Sequence, residues 1–381
     1  MEQNFVYLDN SATTKPCDSA IKKLNTALIE NWGNPSSLHT HGVNAEIAVS
    51  DVRDAVAKML GCKQKEIYFT SGGTEANNIA IFGAARAMQR RGKKIITTAV
   101  EHSSVLEPFK ALGEEGFEVV YIKPDFDGNI SIESFENAID KDTVLVSSML
   151  VNNETGAIFP VEKTKKIITD KGSPALLHCD CVQAFGKIPV TVKGLGADLI
   201  TLSAHKIHGI KGTGVLYKSE KANIRTTVFG GGQESGLRSG TEAVPGIAAL
   251  GGALEEITVE KSYQKVLQLN LLMKKILGEI DGIVFNSPEN ALPYILNISV
   301  PGYRSETLLH FLEREGVFVS SGSACSKGQG SYVLNEMRLS RPTVDSALRI
   351  SFSKDNTEQD VIQFVDALKK AKQKLYSAKH K

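Results

Sequence analysis

Seven short apolar runs, set between longer amphipathic stretches from about residue 66 onward, constrain this chain more than any other feature. They are EIYFT, KIITT, FEVVYI, TVLVSSML, ALLHCD, DLITLS and GVLYK. Several are apolar at both alternating sets of positions, as expected of strands in a sheet covered on both faces. The stretches between them, such as TEANNIAIFGAARAMQRRG and PVEKTKKIITDKG, read as helices. Strand and helix alternating in this way predict an α/β fold, with a mainly parallel sheet and helices on both sides.

The pattern changes near residue 255. A long helical stretch, SYQKVLQLNLLMKKILGEI, leads to the strand ILNISV, the helix SETLLHFLEREG, and the strands VFVSS and ALRISFS. The last helix, TEQDVIQFVDALKKAKQKL, has Thr357 as a capping residue and Val361, Phe364, Val365 and Leu368 along one face. These elements predict a smaller α+β domain at the end of the chain.

Charge excludes some partners. The 44 basic and 43 acidic residues leave a net +1, so no global field draws nucleic acid or an acidic membrane. The basic run KKAKQK reads as the solvated end of a helix. No window of about 18 apolar residues could span a bilayer, and MEQNFVYLDN lacks the apolar core of a secretory leader. Five scattered cysteines, an odd number, do not form a disulfide framework. A reducing cytoplasm is the expected setting.

Three segments bring chemistry to one sheet edge. In YFTSGGTEANNIAI a strand ends at Thr70, residues 71–74 turn, and a helix is expected from about Glu75. Unpaired N–H groups and the dipole of that helix start suit a phosphate. The segment is neither GxGxxG nor a P-loop, so nucleotide sites lack their fingerprint. In ALLHCDCVQAFGK, the row His178, Cys179, Asp180, Cys181 suggests metal ligands, but strand alternation sends neighbours to opposite faces. No metal is expected. Asp180 instead stands at a strand's C-terminal end, where open α/β sheets bind ligands. DLITLSAHKIHGIKGTG delivers Ser203, His205 and Lys206 to the same edge. A partly buried lysine can serve as the nucleophilic amine of a Schiff base. A phosphate turn, an acid for a ring nitrogen and an amine for an aldehyde together describe pyridoxal 5′-phosphate. One motif stays apart: SSGSACSKGQG sets Cys325 among glycines and serines, in a loop where a thiol is not packed away.

Read in order, LDNSATT, GNPSSLH, TSGGTEANN, TAVEHSSV, VNNETG, HCDCVQ, LSAHKIHGIKGTG, GGGQESGLRSGT and SSGSACS resemble the cysteine desulfurases of the NifS/IscS type, from about residue 6 to 353. These are pyridoxal-phosphate enzymes of the class V aminotransferase family. The resemblance implies fold type I, with a large mainly parallel seven-stranded α/β/α domain at residues 15–258. A smaller α+β domain is implied for residues 1–14 plus 259–381.

It also implies roles. Lys206 would hold the cofactor as a Schiff base and shuttle the substrate's α-proton. Asp180 would keep the pyridine nitrogen protonated, with Gln183 and Asn153 at the phenolic oxygen. His102 would stack on the ring and act in proton transfer. Gly73, Thr74, Ser203 and His205 would hold the phosphate, and Thr241 would reach it from a second subunit, implying a homodimer. Arg349 would bind the substrate carboxylate. Cys325 would take sulfur from L-cysteine as a persulfide, leaving alanine, with Lys327 supplying positive charge to its thiolate. A sulfur acceptor protein would follow, an iron–sulfur scaffold or a tRNA or thiamine thiolation enzyme. Cys181 stands where the family has a small residue such as alanine, and a structural role is expected for it. Alternative readings are another enzyme on this scaffold (an aminotransferase or a selenocysteine lyase) or a catalytically silent sulfur-transfer scaffold.

Overall fold

The computed structural model describes residues 5–321 and 330–375. Cys325 and Lys327 lie outside the described residues.

The strands, in chain order, are β1 (Val6–Tyr7), β2 (Ile67–Thr70), β3 (Lys94–Thr98), β4 (Glu118–Ile122), β5 (Thr143–Ser147), β6 (Leu176–Asp180), β7 (Leu199–Ser203), β8 (Gly214–Lys218), β9 (Val284–Phe285), β10 (Ile295–Ser299), β11 (Val317–Phe318) and β12 (Ala347–Ser351). β2 to β8 form one seven-stranded sheet in the order β2-β8-β7-β6-β5-β3-β4. Only β8 runs against its neighbours. The seven apolar runs are these seven strands.

Two-faced burial explains why they read as continuous apolar runs. Ile95, Leu145, Leu176, Leu199 and Leu216 enter one core, with the helices Gly73–Met88 and Ser103–Glu114. Their neighbours Ile96, Val146, Leu177, Ile200 and Val215 enter the opposite core, with the helices Thr40–Leu60 and Val161–Asp170. Each of these buried side chains contributes roughly 1.5–3 kcal/mol, so the alternation fixes which way every strand faces.

The rest of the chain builds a three-stranded antiparallel sheet, β12-β10-β9. Its companions are the helices Val259–Gly278, Ser305–Arg314 and Glu358–Lys374. In the last of these, Thr357 and Asp360 form a reciprocal cap, and Val361, Phe364, Val365 and Leu368 are buried. The expected strand VFVSS is regular only at Val317–Phe318. There it pairs in parallel with Val6–Tyr7, and Ser320 then turns to bridge Arg349 of β12. The chain's first strand is therefore bound to its last third. Among the described residues, no helix is long and apolar enough to cross a membrane.

The sheet's strand order reverses once in a way that matters. From β3 the chain steps outward to β4, then returns to lay β5 on the other side of β3. The connections leaving β3 and β5 diverge at that point, which opens a crevice beyond the C-terminal ends of the strands.

Candidate active site

A cavity of about 470 Å³ occupies that crevice. Five strand ends feed it: β2 through Gly73, β3 through His102, β5 through Asn153, β6 through Asp180 and β7 through Lys206. Arg349 of β12 closes it from the second sheet.

The β2 end differs from expectation by two residues. The helix starts at Gly73, not Glu75, because Gly72 serves as its cap and accepts from Ala76 N–H. Gly72 has φ 154° and ψ 177°, a conformation open in practice only to glycine. Gly73 and Thr74 thus lie in the first turn, whose N–H groups have no acceptor within the helix. A Cβ added at Gly73 would meet Val182 Cγ2 at 3.0 Å and Ser203 Cβ at 3.6 Å, so the glycine keeps a small cradle open. Ser203 and His205 line the same cavity. His205 Nδ1 pairs with Thr13 Oγ1 at 3.2 Å, and burial beside Lys206 and Lys211 pushes its imidazole down to about 4, uncharged at neutral pH.

Asp180 ends β6 with its carboxylate held twice. Asn77 Nδ2 donates to Oδ2 at 2.8 Å and the Val182 N–H to Oδ1 at 2.9 Å. Those bonds offset the cost of burying an acid that is only 5% exposed. Lys206, in the turn Ala204–Lys206 after β7, donates from Nζ to the Ser11 carbonyl at 2.5 Å and the Ala12 carbonyl at 2.8 Å. Gln183 Nε2 donates to the same Ser11 carbonyl at 3.0 Å, while its Oε1 accepts from Lys187 Nζ at 3.0 Å. A carbonyl only accepts, so Ser11 fixes the orientation of the Gln183 amide, whose oxygen then faces Lys187. Burial, with Lys206 and Arg349 nearby, pulls Lys187 down to about 7.

Several buried groups lining the cavity carry unmet hydrogen-bonding capacity, Arg349 and Asn153 among them. Arg349 donates to Asp9 Oδ1 at 2.9 Å and to the Asn153 carbonyl at 3.1 Å, but its Nε has no partner. Asn153 Oδ1 is likewise buried without one. Orphaned buried polar atoms facing one cavity mark a place for a polar ligand. With the open phosphate cradle, the acid and the amine, they fit pyridoxal phosphate and a carboxylate-bearing substrate.

Thr241 does not line this cavity; it is exposed beside a separate small pocket near Thr70 and Arg238. Cys181 is also absent from the lining. Its Sγ donates to Cys179 Sγ at 3.4 Å, and both side chains are fully buried in an apolar core. Burial pushes the Cys179 thiol well above its ordinary value, which disfavours the reactive thiolate. His178 is enclosed as well, between Ser147 Oγ at 2.8 Å and Thr201 Oγ1 at 3.0 Å, and is pushed down to about 4 by burial.

Sequence reasoning passed over Lys187, Glu101 and Glu154. Lys187 lies one helical turn beyond Gln183 in an apolar run, which was the available signal. Glu154 accepts from Ser331 Oγ and lines the cavity. Glu101 is fully buried and ties β3 to β5, accepting from Thr98 Oγ1 at 2.8 Å and from the Met149 N–H at 2.8 Å. Burial raises its carboxyl from 4.5 to about 8. The native chain then keeps a proton that the unfolded chain releases, so this contribution to stability is whole below about pH 4.5 and is lost as pH rises through about 8. Between pH 5 and 8.5, wild type is expected to lose more stability than Glu101→Gln, on the order of 4 kcal/mol at about 1.4 kcal/mol per pH unit. Urea midpoints of the two proteins check this; parallel pH curves would contradict it.

The comparisons with known proteins agree with this geometry. The model for the aminotransferase class-V family matches residues 6–364. The cysteine desulfurase IscS of Dictyoglomus turgidum is 39% identical over 376 residues, 97% of this chain and 95% of that one. The protein of that name from Methanosarcina thermophila is 38% identical over 379 residues, 98% of this chain and 93% of the relative. Among solved structures, a NifS-like protein superposes with a TM-score of 0.92 at 37% identity, covering 97% of this chain and all of that one. SspA in complex with cysteine superposes at 0.82 with 31% identity, over 92% of this chain and all of the other. From the seven-stranded sheet, the crevice at its switch point and these likenesses, the chain belongs to the class-V aminotransferase family, alongside the NifS/IscS-type cysteine desulfurases.

Proposed function

We propose that this enzyme is a cysteine desulfurase: it takes the sulfur of L-cysteine onto Cys325 and releases L-alanine. The observation that carries the reading is the meeting of Lys206, Asp180, His102, Gln183, Asn153 and Arg349 around one cavity. Pyridoxal phosphate, when bound, supplies an electron sink for charge developing at the substrate's α-carbon. Gly73, Thr74, Ser203 and His205 would hold its phosphate, Asp180 its ring nitrogen, and Gln183 and Asn153 its phenolic side. Lys206 would be the amine that tethers it and would carry a proton at the α-carbon. Arg349 takes the substrate carboxylate, its unpartnered Nε–H being available for that contact. The Cys325 sulfur forms the new S–S bond as the Cβ–S bond of L-cysteine breaks. Cβ keeps the electron pair of the broken bond and takes up a proton, so L-cysteine and the Cys325 thiol account for every atom of alanine and persulfide.

A homodimer is part of the proposal. Thr241 is exposed in the single chain, and so are Trp32, Leu38 and Phe229, at 64%, 99% and 83%. Such large apolar side chains suit an interface that lends Thr241 to the neighbouring cavity. We place the enzyme in the cytoplasm, where a sulfur acceptor protein, an iron–sulfur scaffold or a thiolation enzyme, receives the persulfide. The division into residues 15–258 and 1–14 plus 259–381 belongs to the same reading.

The test is alanine release from L-cysteine by the cofactor-loaded protein; no alanine would sink the reading. Arg349→Lys keeps a charge but loses the planar fork. It is expected to raise KM for L-cysteine roughly tenfold to a hundredfold, the range of about 1.5–3 kcal/mol for a charge-assisted hydrogen bond, with a smaller effect on kcat. An unchanged KM would remove Arg349 from the carboxylate site.

A further inference from the structure

Asn77, on the helix Gly73–Met88, is 1% exposed and has no role in the reading above. Its Nδ2 donates to two acceptors at 2.8 Å each, Asp180 Oδ2 and Ser104 Oγ. A carboxylate can only accept, so the amino end of the amide must face Asp180, and both of its hydrogens are used. Ser104 Oγ in turn lies 2.8 Å from His102 Nδ1. The Ser104 backbone N–H points at the same Nδ1 from 3.1 Å, and a peptide N–H can only donate. That backbone donor requires a lone pair on Nδ1, so the Ser104 hydroxyl must donate there too. The hydrogen of the neutral ring is then on Nε2.

We propose that Asn77 is a positioning residue that acts through Ser104 to lock His102 as the neutral tautomer protonated at Nε2. His102 then offers the cavity a hydrogen-bond donor and does not serve as a base. A second proton would have to go on Nδ1, where it would oppose the Ser104 N–H at the helix cap. The surroundings act in the same direction: burial holds the imidazole below its ordinary 6.5, Lys206 pushes it lower, and only Asp180 pulls it up. Of the other ionisable groups nearby, Glu101 is adjacent in the chain and raised toward its protonated form, and Arg349 lines the cavity with the positive charge. Proton transfer at the substrate thus falls to Lys206. This inference concerns the same cavity and rests on the desulfurase reading for its catalytic meaning, but the tautomer can be read without turnover.

The experiment uses the pyridoxal-phosphate-loaded enzyme with 15N-labelled histidine, observed by two-bond 1H–15N correlation, with His102 assigned by its loss in His102→Gln. The expected pattern is an unprotonated Nδ1 and a protonated Nε2, unchanged from about pH 6 to about pH 9, whereas an ordinary histidine titrates near 6.5. Asn77→Ala is expected to bring a titration of His102 into that window. Ser104→Ala removes the hydroxyl donor without disturbing Asp180 and is expected to shift it in the same direction. An Nδ1–H tautomer, or an imidazolium above pH 6 in wild type, overturns the proposal. So does Asn77→Ala folding with His102 unchanged; if that variant does not fold, an unchanged His102 in Ser104→Ala overturns it. A protein that shows the expected tautomer yet releases no alanine would instead fail the desulfurase reading alone.

Discussion

Lys206→Ala is expected to fold and to lose at least about 10²–10⁴-fold in alanine release, the range for removing a positioned proton-transfer group. Loss of the covalent tether adds to that figure. The fold should survive because Lys206 sits in a short turn after β7, and its bonds to the Ser11 and Ala12 carbonyls are local ties at the cavity edge. At about 1 kcal/mol each, these are small against the stability of a two-core chain. Methylamine added to the variant should restore part of the activity, since an external amine can take over the proton transfer. Alanine release and far-UV circular dichroism read the two halves of the expectation. A folded variant within tenfold of wild type would remove Lys206 from the chemistry.

Cys325→Ser is expected to abolish protein-bound sulfur and to reduce alanine release upward of about 10³-fold, on the scale of removing a nucleophile from a catalytic unit. The buried pair Cys179 and Cys181 gives the experiment its internal control. Neither side chain is exposed, and burial holds the Cys179 thiol in its unreactive form, so neither should substitute for the lost thiol. Mass spectrometry of the L-cysteine-treated proteins should find the added sulfur on Cys325 in wild type and nowhere in the variant. Sulfur on Cys181 would transfer the carrier role to a residue outside the cavity lining, against everything argued for Cys325. An unaltered turnover would favour an aminotransferase on the same scaffold, which has no use for this thiol.

The legible part of the fold was the part written locally. Ile95 and Ile96, or Leu199 and Ile200, face opposite cores, so the strands announced themselves as doubly apolar runs. Asp180 and Lys206 were legible because an acid and an amine at the ends of such strands have few other reasons to be there. What stayed hidden depends on partners far away in the chain. The carbonyls that hold Lys206 lie about 195 residues earlier, and Asp9, which holds Arg349, lies 340 residues before it. No periodicity carries that information. Glu101 and Asn77 escaped for a related reason: as sequence they are a polar residue next to a histidine and one among helix formers. Only the closure of β3 against β5 and of the helix against β6 shows that both are buried and hydrogen-bonded across elements.

The pairing of Val6–Tyr7 with Val317–Phe318 has a consequence for biosynthesis. A ribosome completes all seven strands of the large sheet with more than a hundred residues still to translate, and such a unit can fold as it emerges. Yet Ser11 and Ala12 follow directly on that first strand, and its partner is made only after every strand of the large sheet. Chains that stop short of Val317–Phe318 will therefore carry a finished sheet with an unfinished pocket.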